Sequence, residues 1–255
     1  MTLQIITVPC LADNYAYLLH DEATGQTALV DAPEVAPIQV ALEAQGWGLN
    51  TILITHHHDD HIQGVDALRQ TYGCQVIGAA ADAHRLPPLD AQVREGDTVS
   101  VGDSSGSVIE VSGHTVGHIA FHFPSAGAVF TADSLMALGC GRLFEGSADV
   151  MWSSLSKLMA LPPETQIYSG HEYTAANAKF ALSIEPDNTA LVARAADIEA
   201  ARAANTPTVP TSLQLELDTN PFLRAGQLLV KRAVAMEDAS DAAVFAEVRK
   251  RKDNF

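Results

Sequence analysis

The stretch Thr55-His56-His57-His58-Asp59-Asp60-His61 packs four imidazoles and two carboxylates into seven residues. Its spacing, His-x-His-x-Asp-His, singles out His56, His58, Asp60 and His61 as metal ligands. Neutral imidazole suits zinc or iron, and a carboxylate adds a hard anionic donor. The bland reading is a polar loop with exposed histidines. In a chain with ten His among 255 residues, that pattern arises by chance roughly once in a thousand such chains. The stretch therefore reads as a metal site.

The elements that must hold these residues follow from the surrounding pattern. Thr51-Ile52-Leu53-Ile54 is a short apolar, β-branched run, so the motif sits where a buried strand empties into a loop. Upstream, Leu3–Val8, Tyr15–Leu19 and Thr27–Val30 read as a meander of antiparallel strands. Glu34–Gln45 has helical spacing and stops at Gly46, Gly64–Tyr72 is a shorter helix closed by Gly73, and Gln75–Ile77 is a strand. A second β series covers Asp97–Val101, Val108–Val111, Ile119–Phe123 and Ala128–Phe130.

Three more candidates lie where strands run out, two of them beside glycines. His114 falls in Ser112-Gly113-His114-Thr115-Val116-Gly117-His118, Asp133 follows Ala128–Thr131, and His171 falls in Ser169-Gly170-His171-Glu172. Groups on loops at strand ends are what a rigid scaffold offers to a site. His57 is expected to point away from the metal, Asp59 to support a ligand or form a turn, and His118 to brace a ligand. His20, His84 and His122 have no motif around them. From Tyr173 the pattern becomes Ala-rich and helical (Thr174–Ser183, Thr189–Asn205, Ser240–Lys250), with no further strand pair. The chain therefore divides into residues 1–172 and a small helical domain, 173–255.

Composition narrows the class. Hydrophobic residues make up 47% and charged residues 18%, as in ordinary globular proteins. A net charge of −16 disfavours nucleic acid and anionic membranes as partners. No apolar run is long enough to span a bilayer, and the N-terminus lacks the pattern of a secretory signal. Cys10, Cys74 and Cys140 are scattered and odd in number, which predicts reduced core thiols in a cytoplasmic protein. Arg249-Lys250-Arg251-Lys252 is the exception to the acidic balance. It suits either the C-terminal end of a helix dipole or the holding of an anion.

The ordered set His56, His58, Asp60, His61, His114, Asp133 and His171 resembles the ligands of the metallo-β-lactamase superfamily. Further marks are similar to those of the glyoxalase II (hydroxyacylglutathione hydrolase) family. They are Asp13-Asn14-Tyr15, Gly139-Cys140-Gly141 leading to Phe144-Glu145-Gly146, and His171-Glu172-Tyr173-Thr174 with Asn177 and Phe180. Pro207-Thr208-Val209-Pro210, Asn220-Pro221-Phe222-Leu223-Arg224 and the ending Arg249-x-x-Lys252-Asp253-x-Phe255 complete the set. The resemblance covers nearly the whole chain.

It implies an α+β protein, an αββα sandwich followed by a small C-terminal all-helical domain. It implies two divalent metals, zinc first with iron or manganese as alternatives. His56, His58 and His114 would hold one metal, Asp60, His61 and His171 the other, and Asp133 both. Such a pair lowers the pKa of a shared water from 15.7 towards about 7 and polarises a carbonyl, with Asp60 and Asp133 as the catalytic carboxylates. The implied reaction is hydrolysis of S-D-lactoylglutathione to D-lactate and glutathione, the second step of methylglyoxal detoxification. By the same resemblance Arg142, Phe144, Tyr173, Arg249 and Lys252 line the glutathione site. The family commonly has Lys at Arg142 and Tyr at Phe144, and Phe144 cannot donate a hydrogen bond. A monomer is expected. The rival readings are a mononuclear iron glutathione persulfide dioxygenase, another hydrolase of the same fold, and a non-catalytic metal-binding protein.

Overall fold

A computed structural model describes residues 3–255. Met1 and Thr2, the start of the N-terminus read above for a signal, lie outside the described residues. Leu3–Cys10 (β1) and Asn14–Asp21 (β2) run antiparallel, from the Leu3–Asp21 pair to the Cys10–Asn14 pair. Successive side chains of a strand take opposite faces. In β2, Ala16 and Leu18 enter one apolar cluster, while Tyr17 turns the other way and meets Phe130 with ring centroids 5.5 Å apart. A strand buried on both faces has little room for polar alternation.

Gln26–Val30 (β3) continues the antiparallel meander. The chain then becomes βα: Val35–Gln45 (α1), Thr51–Leu53 (β4), Asp59–Ile62 (α2), Val65–Tyr72 (α3), Gln75–Ala79 (β5) and Ala91–Val93 (β6). β3, β4, β5 and β6 pair in parallel, which requires crossover connections. Two of these are helical. Ile38 and Leu42 of α1 and Val65 and Leu68 of α3 join Leu29, Ile52 and Val76 in one cluster, so both helices cover the same face of the sheet. Thr98–Val101 (β7), Ser104–Glu110 (β8), Ile119–Phe123 (β9) and Ala128–Ala132 (β10) form the antiparallel second series, in that order. Phe121, Phe123 and Phe130 are fully buried. The Tyr17–Phe130 contact joins β2 to β10, so the two sheets stack as a sandwich.

These elements make up the first of two compact units, which runs to Val111 and resumes at Val116–Thr131; the second takes Ser112–Thr115 and Ala132–Phe255. The second unit contains the hairpin Leu135–Met136 (β11) and Gly139–Cys140 (β12), then Ala148–Met159 (α4), Gln166–Ser169 (β13), Thr174–Ile184 (α5) and Thr189–Ala203 (α6). Thr211–Ser212 (β14), Leu213–Thr219 (α7), Leu228–Ala233 (α8) and Asp241–Asp253 (α9) complete it. Leu138 packs with Ala178, Ala181, Leu191 and Ile198, and Phe180, Phe222 and Phe245 form a row of rings about 6 Å apart. Helix α9 is capped by Ser240, whose side chain accepts from Ala243 N, and carries Lys250, Arg251 and Lys252 in its last turn, where cations suit the helix dipole.

The α+β sandwich with a helical C-terminal part is the architecture the resemblance implies. Two local readings are corrected. Asp59–Ile62 is a helical turn rather than loop; His58 precedes it, and Asp59 and Asp60 occupy the first turn, where carboxylates suit the dipole. A strand does follow Tyr173: Thr211 and Ser212 pair with Ile167 and Gln166. Two residues carry no period that a sequence reading can detect. The same shortness conceals β11, β12, α7 and α8.

Candidate metal centre and substrate-binding residues

Strand β4 ends at Leu53, and the backbone of the motif is caught on both sides. Ile54 N donates to Ile77 O, and Thr55 O accepts from Ile119 N. His56 is fully buried. Its Nδ1 lies 3.0 Å from Thr55 Oγ1, and its Nε2 faces His58 Nδ1 at 3.1 Å. The Thr55 hydroxyl donates to Asp31 Oδ2 at 2.8 Å, so it accepts the His56 Nδ1 proton and leaves the lone pair on Nε2. His61 is fixed in the same sense: its Nδ1 donates to Asp31 Oδ2 at 2.8 Å. Asp31, His56 and His61 bring ligand-type atoms within 4.8 Å of one another. Asp31 serves as a support here, because Thr55 N, Thr55 Oγ1 and His61 Nδ1 already take up its oxygens. A carboxylate behind a ligating imidazole fixes its tautomer and raises its basicity.

Asp60 is aimed by Asn14, whose amide donates to Asp60 Oδ2 at 3.0 Å and to Asp60 O at 3.1 Å. His57 turns aside, as expected, with Nδ1 3.2 Å from Asp82 Oδ2. His118 lies flat against His56, ring centroids 4.6 Å apart at 12°. Asp31 and Asp82 carry no motif, and only the fold reveals them. Asn14 was visible as a family mark but without a role. His20 stacks on Trp47, and His122 is buried in β9, where desolvation lowers its pKa.

In the second unit, Asp133 is the hub. Its Oδ2 lies 3.4 Å from His114 Nε2 and 3.3 Å from His171 Nε2, and all three residues are buried. His114 Nδ1 donates to Arg142 O at 2.8 Å, which again directs Nε2 towards the carboxylate. Two glycines make this approach possible. A Cβ on Gly141 would lie 2.0 Å from Asp133 O and 2.8 Å from His114 Nδ1. Gly113, at φ +146°, has no room for one against Met151, which lets the chain deliver His114. The two imidazoles carry aromatic neighbours: Tyr173 stacks on His171 (4.6 Å, 6°) and Phe144 tilts against His114 (5.3 Å, 60°).

Phe144 and Tyr173 are exposed, at 63% and 40%, and Arg142 is exposed as well. Lys252 is half-buried, with Nζ over the Phe180 and Phe255 rings and 3.3 Å from Ala176 O. Burial, then Arg249 and Arg142, push its pKa below the ordinary 10.5. Arg249 differs from the other residues expected to meet substrate. It is buried at 5%, donates to Cys140 O at 2.8 Å and to Asp253 Oδ1, and lies over the Phe222 ring.

A sandwich with histidines and aspartates at its strand ends is the arrangement of the metallo-beta-lactamase superfamily, whose family model matches residues 13–171. The model for the hydroxyacylglutathione hydrolase C-terminus matches residues 172–255. Among curated relatives, the hydroxyacylglutathione hydrolase of Cereibacter sphaeroides is 62% identical over the full length of both chains. That of Jannaschia sp. is 63% identical over 99% of this chain and 98% of its own. The chain belongs to the hydroxyacylglutathione hydrolase family. Among solved structures, the BLEG-1 B3 metallo-beta-lactamase superposes with a TM-score of 0.67 at 21% identity, covering 86% of this chain and 99% of its own. ETHE1 from Myxococcus xanthus gives 0.65 at 27% identity, covering 99% and 98%. A His/Asp donor cluster in this fold is a divalent-metal site. Imidazole with carboxylate fits such ions on donor chemistry. No helix among the described residues is long and apolar enough to cross a membrane.

Proposed function

We propose that this chain hydrolyses S-D-lactoylglutathione, and related 2-hydroxyacyl glutathione thioesters, to the 2-hydroxy acid and glutathione. The observation that carries the reading is the family match over residues 172–255, joined to full-length relatives at about 62% identity; hydrolases that share only the metal loop lack that part. The persulfide dioxygenase alternative is not favoured by these relatives. We assign His56, His58 and His114 to one divalent metal, Asp60, His61 and His171 to a second, and Asp133 to both, with zinc as the first choice. When bound, the metals supply a Lewis acid for the thioester carbonyl and a water acidic enough to react near neutral pH.

The residues of the chain do the rest. Thr55 and Asp31 hold His56 and His61 with their lone pairs on Nε2. Asn14 keeps Asp60 Oδ2 oriented, where it can accept the proton of the attacking water. Arg142 and Lys252 attract the carboxylates of the tripeptide, while Tyr173 and Phe144 flank it with exposed ring surface. The leaving thiolate, whose parent thiol has a pKa of about 8.5, departs without a dedicated general acid. The division into a catalytic part, 1–172, and a glutathione-binding part, 173–255, is supported by where the two family matches meet. Three buried free thiols support a reducing, cytoplasmic setting, and we read the chain as a monomer. The test is metal analysis of the purified protein alongside turnover of S-D-lactoylglutathione. Two metals per chain with thioesterase activity is the expected result; a single metal at full activity, or no turnover, overturns the reading.

A further inference from the structure

The C-terminal helices bury an ion pair that the proposed chemistry does not use. Glu216 on α7 is fully buried and Arg194 on α6 nearly so, and Arg194 Nη2 donates to Glu216 Oε1. Thr211 Oγ1 donates to the same oxygen at 2.9 Å, and Arg194 Nη1 donates to Thr219 Oγ1 at 2.6 Å. Such a pair is a weak source of stability, because apolar side chains of similar volume often fold as well or better. The second carboxylate oxygen reaches elsewhere. Glu216 Oε2 accepts Leu138 N at 2.8 Å and Asn220 Nδ2 at 3.0 Å. Asn220 Nδ2 also donates to Met136 O at 3.3 Å and to Gly139 O at 3.1 Å, and Asn177 Nδ2 donates to Ala137 O at 3.0 Å. The turn between β11 and β12 is thus held at each residue, and Leu138 within it is buried at φ 54°. Such a conformation persists only where the surroundings over-determine it. The held turn lies between two parts of the metal centre. Asp133 precedes it, and beyond it Gly141 packs under Asp133 O and the Arg142 carbonyl accepts His114 Nδ1.

We propose that Glu216 is a positioning residue for the metal ligands His114 and Asp133, acting through the turn at Leu138 and through Asn220. Arg194 and Thr211 occupy one carboxylate oxygen and leave the other aimed at the turn. Without that acceptor the buried Leu138 N–H loses its partner, which is costly, and the left-handed turn is free to relax. Relaxation shifts Asp133 on one side and the carbonyl that directs His114 on the other. The inference deepens the metal assignment proposed above and rests on it; it does not depend on which thioester is cleaved.

Two neutral pairs separate positioning from stability. Arg194→Met/Glu216→Gln keeps an oxygen that can accept from Leu138 N and Asn220, with its amide nitrogen facing Thr211 Oγ1. Arg194→Met/Glu216→Leu removes that acceptor. Neither leaves an unpaired buried charge. Zinc affinity is measured by competition with a chromophoric chelator, well below each Tm, with turnover of S-D-lactoylglutathione alongside. The Arg194→Met/Glu216→Gln protein is expected to stay close to wild type in zinc affinity. The Arg194→Met/Glu216→Leu protein is expected to remain folded but to lose zinc affinity by about 10-fold or more, as for residues that support a ligand. Its kcat at limiting zinc should fall in proportion. Equal zinc affinity in the two double variants, whatever their Tm, overturns the proposal. Should either fail to fold, Asn220→Ala in the otherwise native chain decides: a comparable loss of zinc affinity supports the proposal, and wild-type affinity overturns it. A wild type that binds zinc but does not hydrolyse the thioester ends the hydrolase reading, while the zinc comparison still decides this inference. A wild type that binds no zinc overturns both.

Discussion

Asp31 Oδ2 accepts the Nδ1–H of His61 at 2.8 Å, from a backbone held at φ 57°. The left-handed conformation is costly for most residues but tolerated by Asp and Asn. It places one carboxylate behind two of the candidate ligands, since the same oxygen accepts the Thr55 hydroxyl that fixes His56.

Asp31→Asn therefore keeps the backbone but presents an amide to His61 in place of a carboxylate. Metal affinity should fall by about 10- to 100-fold, with a matching loss of kcat at limiting metal. Chelator competition on the purified variant checks this. Wild-type affinity would mean that Asp31 serves only the fold.

Asp133→Ala and His57→Ala should differ by orders of magnitude in kcat. Asp133 Oδ2 is within 3.4 Å of two imidazole nitrogens, whereas His57 is turned to Asp82. Steady-state kinetics with metal content measured in parallel decides the point. Similar losses in both variants, metal retained, would contradict the assignment of the motif.

With Lys252 at the proposed glutathione site, KM acquires a pH dependence. Its folded pKa is lowered by burial first, then by Arg249 and Arg142. It attracts carboxylates only while protonated, so KM for the glutathione thioester should rise as pH climbs through that lowered value, before a free lysine would titrate. Stability moves in the opposite sense: between the folded pKa and 10.5 the unfolded chain holds more protons, so the fold gains with rising pH. Lys252→Arg should abolish the KM rise, and a KM–pH profile of the two proteins checks it.

Phe144→Tyr restores the hydroxyl common in the family. A neutral hydrogen bond contributes about 0.5–1.5 kcal/mol, and the 63% exposure of the side chain places the gain at the low end. KM for the glutathione thioester should fall about two- to threefold with kcat unchanged. No change in KM would show that the hydroxyl does not reach the tripeptide.

The thiols should be inert in the folded protein. Burial, with the Glu34 charge second, pushes Cys10 up to about 12, and burial pushes Cys140 up to about 11. Iodoacetamide at neutral pH should label none of the three cysteines until denaturant is added, as mass spectrometry would show. Rapid native labelling of Cys140 would contradict its burial under Arg249.

The sequence by itself determined the candidate ligands. His56, His58, Asp60 and His61 lie within six residues, and His114, Asp133 and His171 each follow a β-prone run, so both spacing and context are local. It also determined most of the long elements, whose apolar period repeats enough to be read, and their stops at Gly46 and Gly73, but it passed over the twelve-residue helix Ala148–Met159. Only the tertiary structure decided what orients the ligands. Asp31 is 30 residues from His61, Asn14 is 46 from Asp60, and the Arg142 carbonyl is 28 from His114. No period or spacing links residues so far apart; packing alone brings them together. Arg249 makes the difference concrete. In the sequence it belongs to an exposed-looking basic run, but the turn of α9 on which it falls buries its guanidinium while leaving Lys250 on the outside. Which face of a helix is covered depends on what packs against it, and for Arg249 that is Phe222 and the Cys140 loop.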